Sequence, residues 1–136
     1  MNQLPCVLEA LVVRTDFSTD GAWDAVREAL FSPSTEGFLP NVTLVDDRQY
    51  EGLTPDRALN LIPAEYQHPL VVLADSVTVA SAERPLLVVD LRAERGRCVR
   101  VVAAELWIIE NNLSGANMDF DEFASAVGDD GVFRGF

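Results

Sequence analysis

Short runs of apolar residues, separated by polar turns and by helical patterns, predict a sheet of about five strands. The runs are Val7–Thr15, with its strongest part at Ala10–Val13, then Val42–Val45, Leu70–Ala74, Leu86–Val89 and Cys98–Val102. A continuous apolar run such as Leu70–Ala74 is typical of a strand that is covered on both faces, because an exposed face would carry polar residues. We therefore expect helices on both sides of the sheet.

Helical patterns occupy the segments between these runs and most of the C-terminal third. Trp23, Val26 and Leu30 fall on one face of a helix that Thr19 or Asp20 can cap. Further helices are predicted to begin at Pro55 after the cap residue Thr54, at Ala103, and at the capping box of Asp119 and Glu122. Strands that alternate with helices favour a mostly parallel sheet.

Together these elements predict a single α/β domain over residues 1–136, folded as a three-layer sandwich with C-terminal helices. The sheet is mostly parallel and has one antiparallel edge hairpin. This hairpin joins Leu86–Val89 to Cys98–Val102, because the polar turn Arg92–Gly96 connects the two runs. The strand order does not follow from the sequence, so the faces that the first helices cover stay open.

Composition narrows the classes of ligand. Of the 136 residues, 49% are apolar, which is enough for one sizeable core, and the formal net charge is −12. Because this charge repels phosphate, we expect neither nucleic acid nor an anionic membrane as a ligand, whereas a basic protein partner would be attracted. All ten basic residues are arginine, which excludes a Schiff-base lysine and a P-loop lysine.

Targeting signals are not recognised in the sequence. The N-terminal residues lack the basic region of a signal peptide, and no apolar run approaches the ~20 residues that span a membrane. Cys6 and Cys98 are too few for a disulfide framework and sit among apolar residues, so we predict buried, reduced thiols. These features indicate a cytoplasmic protein.

Aspartates follow the predicted strands. Asp16, Asp46, Asp75 and Asp90 each come after an apolar run, and Asp47 adjoins Asp46. The carboxyl ends of parallel strands share one edge, where ligands bind in open sheets, and carboxylate oxygens suit Mg²⁺. The four aspartates are therefore candidate metal ligands. The alternative is that aspartate starts turns and caps helices at strand ends, with no cofactor involved.

No complete catalytic set is recognisable, so we predict no catalytic residues. His68 is the only histidine, and it precedes the Leu70–Ala74 strand, on the wrong edge for a site at the carboxyl ends. We predict a capping or surface histidine. Nucleophile elbows, dinucleotide fingerprints and zinc-ligand spacings do not occur.

The C-terminal tail contains two phenylalanines that flank an arginine, namely Phe133, Arg134 and Phe136. Such residues either dock on a partner or pack back on the domain. As partner anchors they would be dispensable for folding, and removal of Val132–Phe136 would weaken a complex without unfolding the domain. As part of the core they would be required for the fold.

Seven landmarks spread along most of the chain resemble one family. They are Arg14–Phe17 with Trp23, Val45–Asp47 with Tyr50–Leu53, Ala74–Asp75, Pro85–Asp90, Glu110–Ser114, Ala116–Phe120 and Gly131–Phe136. The last three are the most specific. The chain resembles a family of small acidic proteins from high-GC Gram-positive bacteria that is classed only as a domain of unknown function. This resemblance implies domain boundaries and brings no activity, cofactor or catalytic residue.

The sequence favours a non-enzymatic acidic module that binds a protein partner, in an immunity-like or regulatory role, because the charge is strong and no catalytic set accompanies it. The alternative is a divalent-metal-binding or phosphoryl-transfer domain that uses the strand-end aspartates. A structural homo-oligomer, with Phe136 or Trp107 in a symmetric patch, is a third interpretation, and the oligomeric state stays open.

Overall fold

The computed structural model describes residues 1–136 and contains one six-stranded sheet. The strands are β1 (Ala10–Arg14), β2 (Val42–Val45), β3 (Leu70–Ala74), β4 (Pro85–Asp90), β5 (Cys98–Val102) and β6 (Val132–Phe133). The first five lie on the predicted runs. The sixth lies in the C-terminal tail, where the pattern predicts no strand. The spatial order is β2-β1-β3-β4-β5-β6.

Five helices accompany the sheet: α1 (Asp20–Leu30), α2 (Pro55–Leu61), α3 (Ser76–Ala80), α4 (Leu106–Ser114) and α5 (Phe120–Ala124). Thr19 and Thr54 cap α1 and α2, and the capping box of Asp119 and Glu122 begins α5. The sequence pattern misses α3, because its five residues are too few to display a helical period and include β-branched side chains.

Strand direction defines the two edges of the sheet. β1 pairs in parallel with β2 and β3, and β5 pairs in parallel with β6. β4 is antiparallel to both β3 and β5, so the predicted hairpin is present. The carboxyl ends of every strand except β4 therefore lie at one edge, the carboxyl edge. β4 ends at the opposite edge, the amino edge.

Two hydrophobic cores, one on each face of the sheet, make the fold a three-layer α/β sandwich. Alternate residues of a strand point to opposite faces, so Val12 joins the first core and Leu11 the second. The first core packs against α1, α4 and α5, and the second against α2 and Leu4 of the N-terminal segment. The helices α1 and α2 thus cover opposite faces.

The exposure of the two cysteines differs from the expectation. Cys6 and Cys98 are free thiols, as predicted, but both are exposed rather than buried. The side chain of Cys98 lies on the face of β5 opposite to that of Val99, which belongs to the first core.

None of the helices is both long enough and apolar enough to span a bilayer.

Candidate functional site

The carboxyl edge contains a pocket of about 270 Å³ between the ends of β1 and β3. It lies at the point where the chain turns first to one side of β1, to form β2, and then to the other, to form β3. Such switch points are where open α/β sheets bind ligands. Thr15, Asp16, Thr54, Asp75 and Ser76 supply its polar lining.

Asp75, which follows β3, is held by an arginine of β5, two strands away in the sheet. Arg100 of β5 donates to both carboxylate oxygens of Asp75, with N–O distances of 2.7 and 3.1 Å. The same carboxylate caps α3 by accepting from the backbone N–H of Thr78 at 3.2 Å. Burial raises the pKa of Asp75, but the hydrogen bonds and charge of Arg100 outweigh this effect and hold the pKa below 3.8. Asp75 is therefore a paired carboxylate.

Arg14, at the end of β1, organises the other half of this edge. Its side chain is only 6% exposed, and its guanidinium pairs with Asp20 at 2.8 Å and with Asp46 at 3.3 Å. It also lies 4.4 Å from the ring centre of Phe17. Burial lowers the pKa of Arg14, but the hydrogen bonds to Asp20 and Asp46 raise it by more. Asp46 thus helps to neutralise a buried cation.

The structure does not bring the four predicted metal ligands together. Asp16, Asp46 and Asp75 lie at the carboxyl edge, but Asp90 ends the antiparallel strand β4 and lies at the amino edge. There it is 3% exposed and accepts from the backbone N–H groups of Arg92 and Glu94 at 2.9 and 2.8 Å. The expectation that Asp90 shares an edge with the others is therefore wrong, because it assumes that β4 is parallel.

The remaining aspartates have partners of their own. Asp16 accepts from the backbone N–H of Ser18 at 2.8 Å, and Asp46 and Asp75 pair with arginines. The structure contains no group of three or more His, Cys, Asp or Glu side chains placed to hold a metal ion. Asp16 and Asp75 are the two candidate ligands that share a pocket.

His68 is buried, so of the two predicted roles, a capping or a surface histidine, the surface role is wrong. Its Nε2 lies 2.9 Å from Oε2 of Glu110 on α4, and its Nδ1 accepts from the backbone N–H of Leu70 at 3.3 Å. Because Nδ1 is an acceptor, Nε2 carries the proton and donates it to Glu110. The sequence does not predict this pair, since the partners are 42 positions apart.

Glu110 forms a buried polar knot with His68 and Asn41. Its side chain is 1% exposed, and its Oε1 accepts from the backbone N–H of Asn41 at 2.7 Å. Burial raises the pKa of Glu110, but the hydrogen bonds from His68 and Asn41 outweigh it and hold the pKa below 4.5. The knot joins α4 to the segments that precede β2 and β3, so we interpret it as structural.

The C-terminal tail is part of the fold. Phe133 in β6 is fully buried and packs edge-on against Phe123 of α5, with ring centres 5.5 Å apart. Arg134 pairs with Glu83 and Asp130, at 2.9 and 2.7 Å. These pairs raise the pKa of Arg134 and lower those of both carboxyls. Of the three predicted partner anchors, Phe133 cannot contact a partner while folded, whereas Phe136 is 75% exposed.

An aromatic cleft of about 420 Å³ lies between the α1–β2 loop and the start of α4, on the side of the sheet that α1 and α4 cover. We define it by Trp107, Glu36 and Glu105, with Ser32 to Thr35 completing the wall. Phe38 stacks on Trp107, with ring centres 5.0 Å apart and planes 9° apart. Neither Glu36 nor Glu105 forms an ion pair, although eight other acidic residues pair with arginines.

The same loop exposes an apolar patch, which we define as Phe31, Phe38 and Leu39. Their exposed fractions are 57%, 48% and 40%. Hydrogen bonds hold the loop in place: Ser34 N–H donates to the Phe38 carbonyl at 2.9 Å, and the Asn111 amide donates to the Leu39 carbonyl at 3.0 Å. The two prolines and the glycine of this loop indicate only the end of a helix, so the sequence pattern does not predict the patch.

The indole N–H of Trp107 is a further feature of the cleft. The nitrogen is enclosed and has no hydrogen-bond acceptor within the protein. A buried donor without an acceptor is unfavourable by about 1–3 kcal/mol, so most such groups in proteins are paired.

These features define the class of the protein: an acidic three-layer α/β domain with two strand-end aspartates paired to arginines and an aromatic cleft beside an exposed apolar loop. The chain belongs to the family described as domain of unknown function (DUF6924), whose model matches residues 9–136. A comparison with curated proteins gave no match.

Proposed function

We propose that this protein is a non-enzymatic binding module, immunity-like or regulatory in role, that docks on a basic protein partner through the apolar patch and the aromatic cleft. The observation that carries the proposal is the hydrogen-bonded loop that exposes Phe31, Phe38 and Leu39, with Phe38 stacked on Trp107. Exposed apolar groups of this kind mark interaction sites, and aromatic residues are enriched at interface hot spots. A loop that is already ordered loses little conformational entropy on binding.

Charge supports a basic partner. The net charge of −12 attracts a positively charged protein over a distance, and the carboxylates of Glu36 and Glu105 lie unpaired at the cleft. The tail contributes little in this proposal, because Phe133 is buried and both ion pairs of Arg134 are made within the chain. We therefore assign the partner surface to the α1–β2 loop and not to the C-terminus, where the sequence suggests it.

The first prediction is that apolar residues of the patch, and not those elsewhere, set the affinity for the partner. We expect Phe31→Ser with Leu39→Ser to weaken capture of the partner from the native host by roughly thirtyfold, which is about 2 kcal/mol. Quantitative affinity capture followed by mass spectrometry measures this loss for each protein that the wild type enriches.

The matched control is Leu8→Ser with Phe136→Ser, which makes the same two changes at exposed positions outside the patch. We expect this control to retain the partner. If the control loses the partner and the patch variant keeps it, the tail is the interface and the proposal is wrong. Thermal unfolding of both variants establishes that each is folded during capture.

A divalent-metal or phosphoryl-transfer site is the second candidate function, because Asp16 and Asp75 line one pocket at the switch point. A cation in this pocket must compete with Arg100, which occupies both carboxylate oxygens of Asp75. It also gains nothing from Asp90, which lies at the opposite edge. We therefore rank this function below partner binding.

Melting experiments distinguish the two functions. We expect millimolar Mg²⁺ or Mn²⁺ to leave the melting temperature unchanged, because a ligand stabilises a protein only if it binds the folded state. A rise that persists in Asp47→Asn but disappears in Asp16→Asn would favour the metal site instead. Asp47 is the matched control, since it is exposed and lies outside the pocket.

A further inference from the structure

We propose that the aromatic cleft binds the guanidinium group of an arginine side chain in the partner. Trp107 would be the ring on which the guanidinium stacks, and Glu36 and Glu105 would supply the carboxylates that pair with it. The inference rests on the protein-binding role proposed above, since it names the chemistry that the same surface recognises. It is carried by three observations: the cavity, the aromatic wall and the two carboxylates without a cation.

The aromatic wall suits a planar cation. An arginine or lysine that lies over the face of an indole is attracted by the ring quadrupole, and Trp is the strongest of the aromatic side chains in this respect. Phe38 stacks in parallel on one face of Trp107 and fixes the orientation of the indole, so the arginine would use the opposite face. The protein already uses this interaction at the carboxyl edge, where the guanidinium of Arg14 lies against the rings of Phe17 and Trp23.

The carboxylates favour arginine over lysine. A guanidinium presents five N–H donors in a fixed plane, so it can stack on a ring and bond to carboxylates at the same time, whereas an ammonium is a compact point charge. Glu36 lies in the α1–β2 loop and Glu105 lies immediately before α4, so the two approach the cleft from different segments. A cation that binds between them would neutralise both.

The size of the cleft fits a side chain of a larger partner. Its volume of about 420 Å³ is within the range of ligand pockets, and the exposed Phe31 and Leu39 belong to the loop that forms its wall. An arginine in the cleft, with neighbouring apolar residues of the partner on the patch, resembles a standard interface, in which a desolvated anchor is surrounded by further contacts.

The test is a titration of the whole protein, labelled with ¹⁵N, with a blocked Gly-Arg-Arg-Gly peptide. The chain has two tryptophans, so two indole N–H signals report separately on Trp107 and on the buried Trp23. We expect saturable shifts of the Trp107 indole and of backbone amides from residues 32 to 36. The peptide in which citrulline replaces arginine has the same shape without the charge, and we expect it to produce no shifts.

Two double variants separate the cleft from general electrostatic attraction. We expect Glu36→Gln with Glu105→Gln to weaken peptide binding by about tenfold, the amount that two exposed ion pairs typically contribute. Glu51→Gln with Glu65→Gln removes the same two charges at positions outside the cleft, and we expect it to preserve binding. Trp107→Leu should also reduce binding, provided that its melting curve shows a folded protein.

Equal weakening in the two double variants would overturn the inference, as would equal binding of the citrulline peptide or shifts spread over the whole acidic surface. These results are independent of the capture experiment. If the peptide does not bind but the patch variant still loses the partner, only the arginine assignment is wrong. If the peptide binds the cleft but the patch variant retains the partner, the arginine site stands and the apolar docking surface is wrong.

Discussion

Replacement of Glu110 with leucine should lower the free energy of unfolding by about 2–6 kcal/mol, because two buried donors each lose an acceptor at a typical cost of about 1–3 kcal/mol. The variant leaves the Nε2 proton of His68 and the backbone N–H of Asn41 without acceptors in a region where Glu110 is 1% exposed. Urea unfolding followed by circular dichroism measures the loss. We expect the slope of the transition to stay unchanged, since the fold is the same.

The control for this prediction is Glu105→Leu, which makes the same substitution at a half-exposed position just before α4. Glu105 makes no cap hydrogen bond and no ion pair, so we expect a change of less than about 0.5 kcal/mol. Similar losses in the two variants would mean that leucine disturbs the helix itself and that the knot contributes nothing specific.

The pH dependence of stability provides an independent readout of the same knot. The pKa of Glu110 is lower in the folded state than its ordinary 4.5, so its contribution is present above pH 4.5 and is lost as the pH falls through the lowered value. Glu110→Gln cannot titrate. The difference in unfolding free energy between wild type and Glu110→Gln should therefore shrink as the pH falls below 4.5, and a constant difference would contradict this origin.

Truncation of Phe133 to alanine should destabilise the protein by about 3–5 kcal/mol, as is typical for a fully buried phenylalanine. The ring packs against Phe123 and Phe136 at centre distances of 5.5 and 5.2 Å, and its backbone belongs to β6, which pairs with β5. Deletion of Val132–Phe136 should therefore unfold much of the population. Differential scanning calorimetry of the wild type, of Phe133→Ala and of the deletion variant measures both effects.

Phe136→Ala is the matched control, because this ring is 75% exposed and contacts the same cluster from outside. We expect its truncation to cost less than about 1 kcal/mol. If Phe133→Ala and the deletion both left stability unchanged, the tail would be an appendage, and the interpretation of these residues as partner anchors would return. The two outcomes also decide whether a truncated protein is a usable reagent for binding studies.

The strand runs and helix caps follow from local sequence, which is why they could be predicted. Leu70–Ala74 is apolar over its whole length because both faces of β3 are covered, and Thr54 with Pro55 begins α2 through local geometry alone. The tail is different. Val132–Phe133 has only two residues in the strand, too few to show a period, and its pairing partner lies about 30 positions earlier in the chain.

The candidate site depended most on contacts that local sequence does not encode. Asp90 follows an apolar run just as Asp75 does, and only the direction of β4 places it at the other edge. The stacking of Phe38 on Trp107 likewise joins residues in different segments. The sequence predicts a helix that begins at Ala103, but it does not connect Trp107 of that helix with the loop, because nothing in a single sequence specifies which loop meets which helix.

The sequence by itself determined the α/β class, the position of five strands, the caps of α1, α2 and α5, and a charge that favours a basic partner. The tertiary structure alone decided the strand order, the neutralisation of Asp46 and Asp75 by arginines, the burial of His68 and Phe133, and the existence of the cleft. The physical reason is the distance along the chain over which each kind of interaction acts. Propensity, periodicity and capping act within a few residues, whereas strand pairing and ion pairs join groups that only the folded chain brings together.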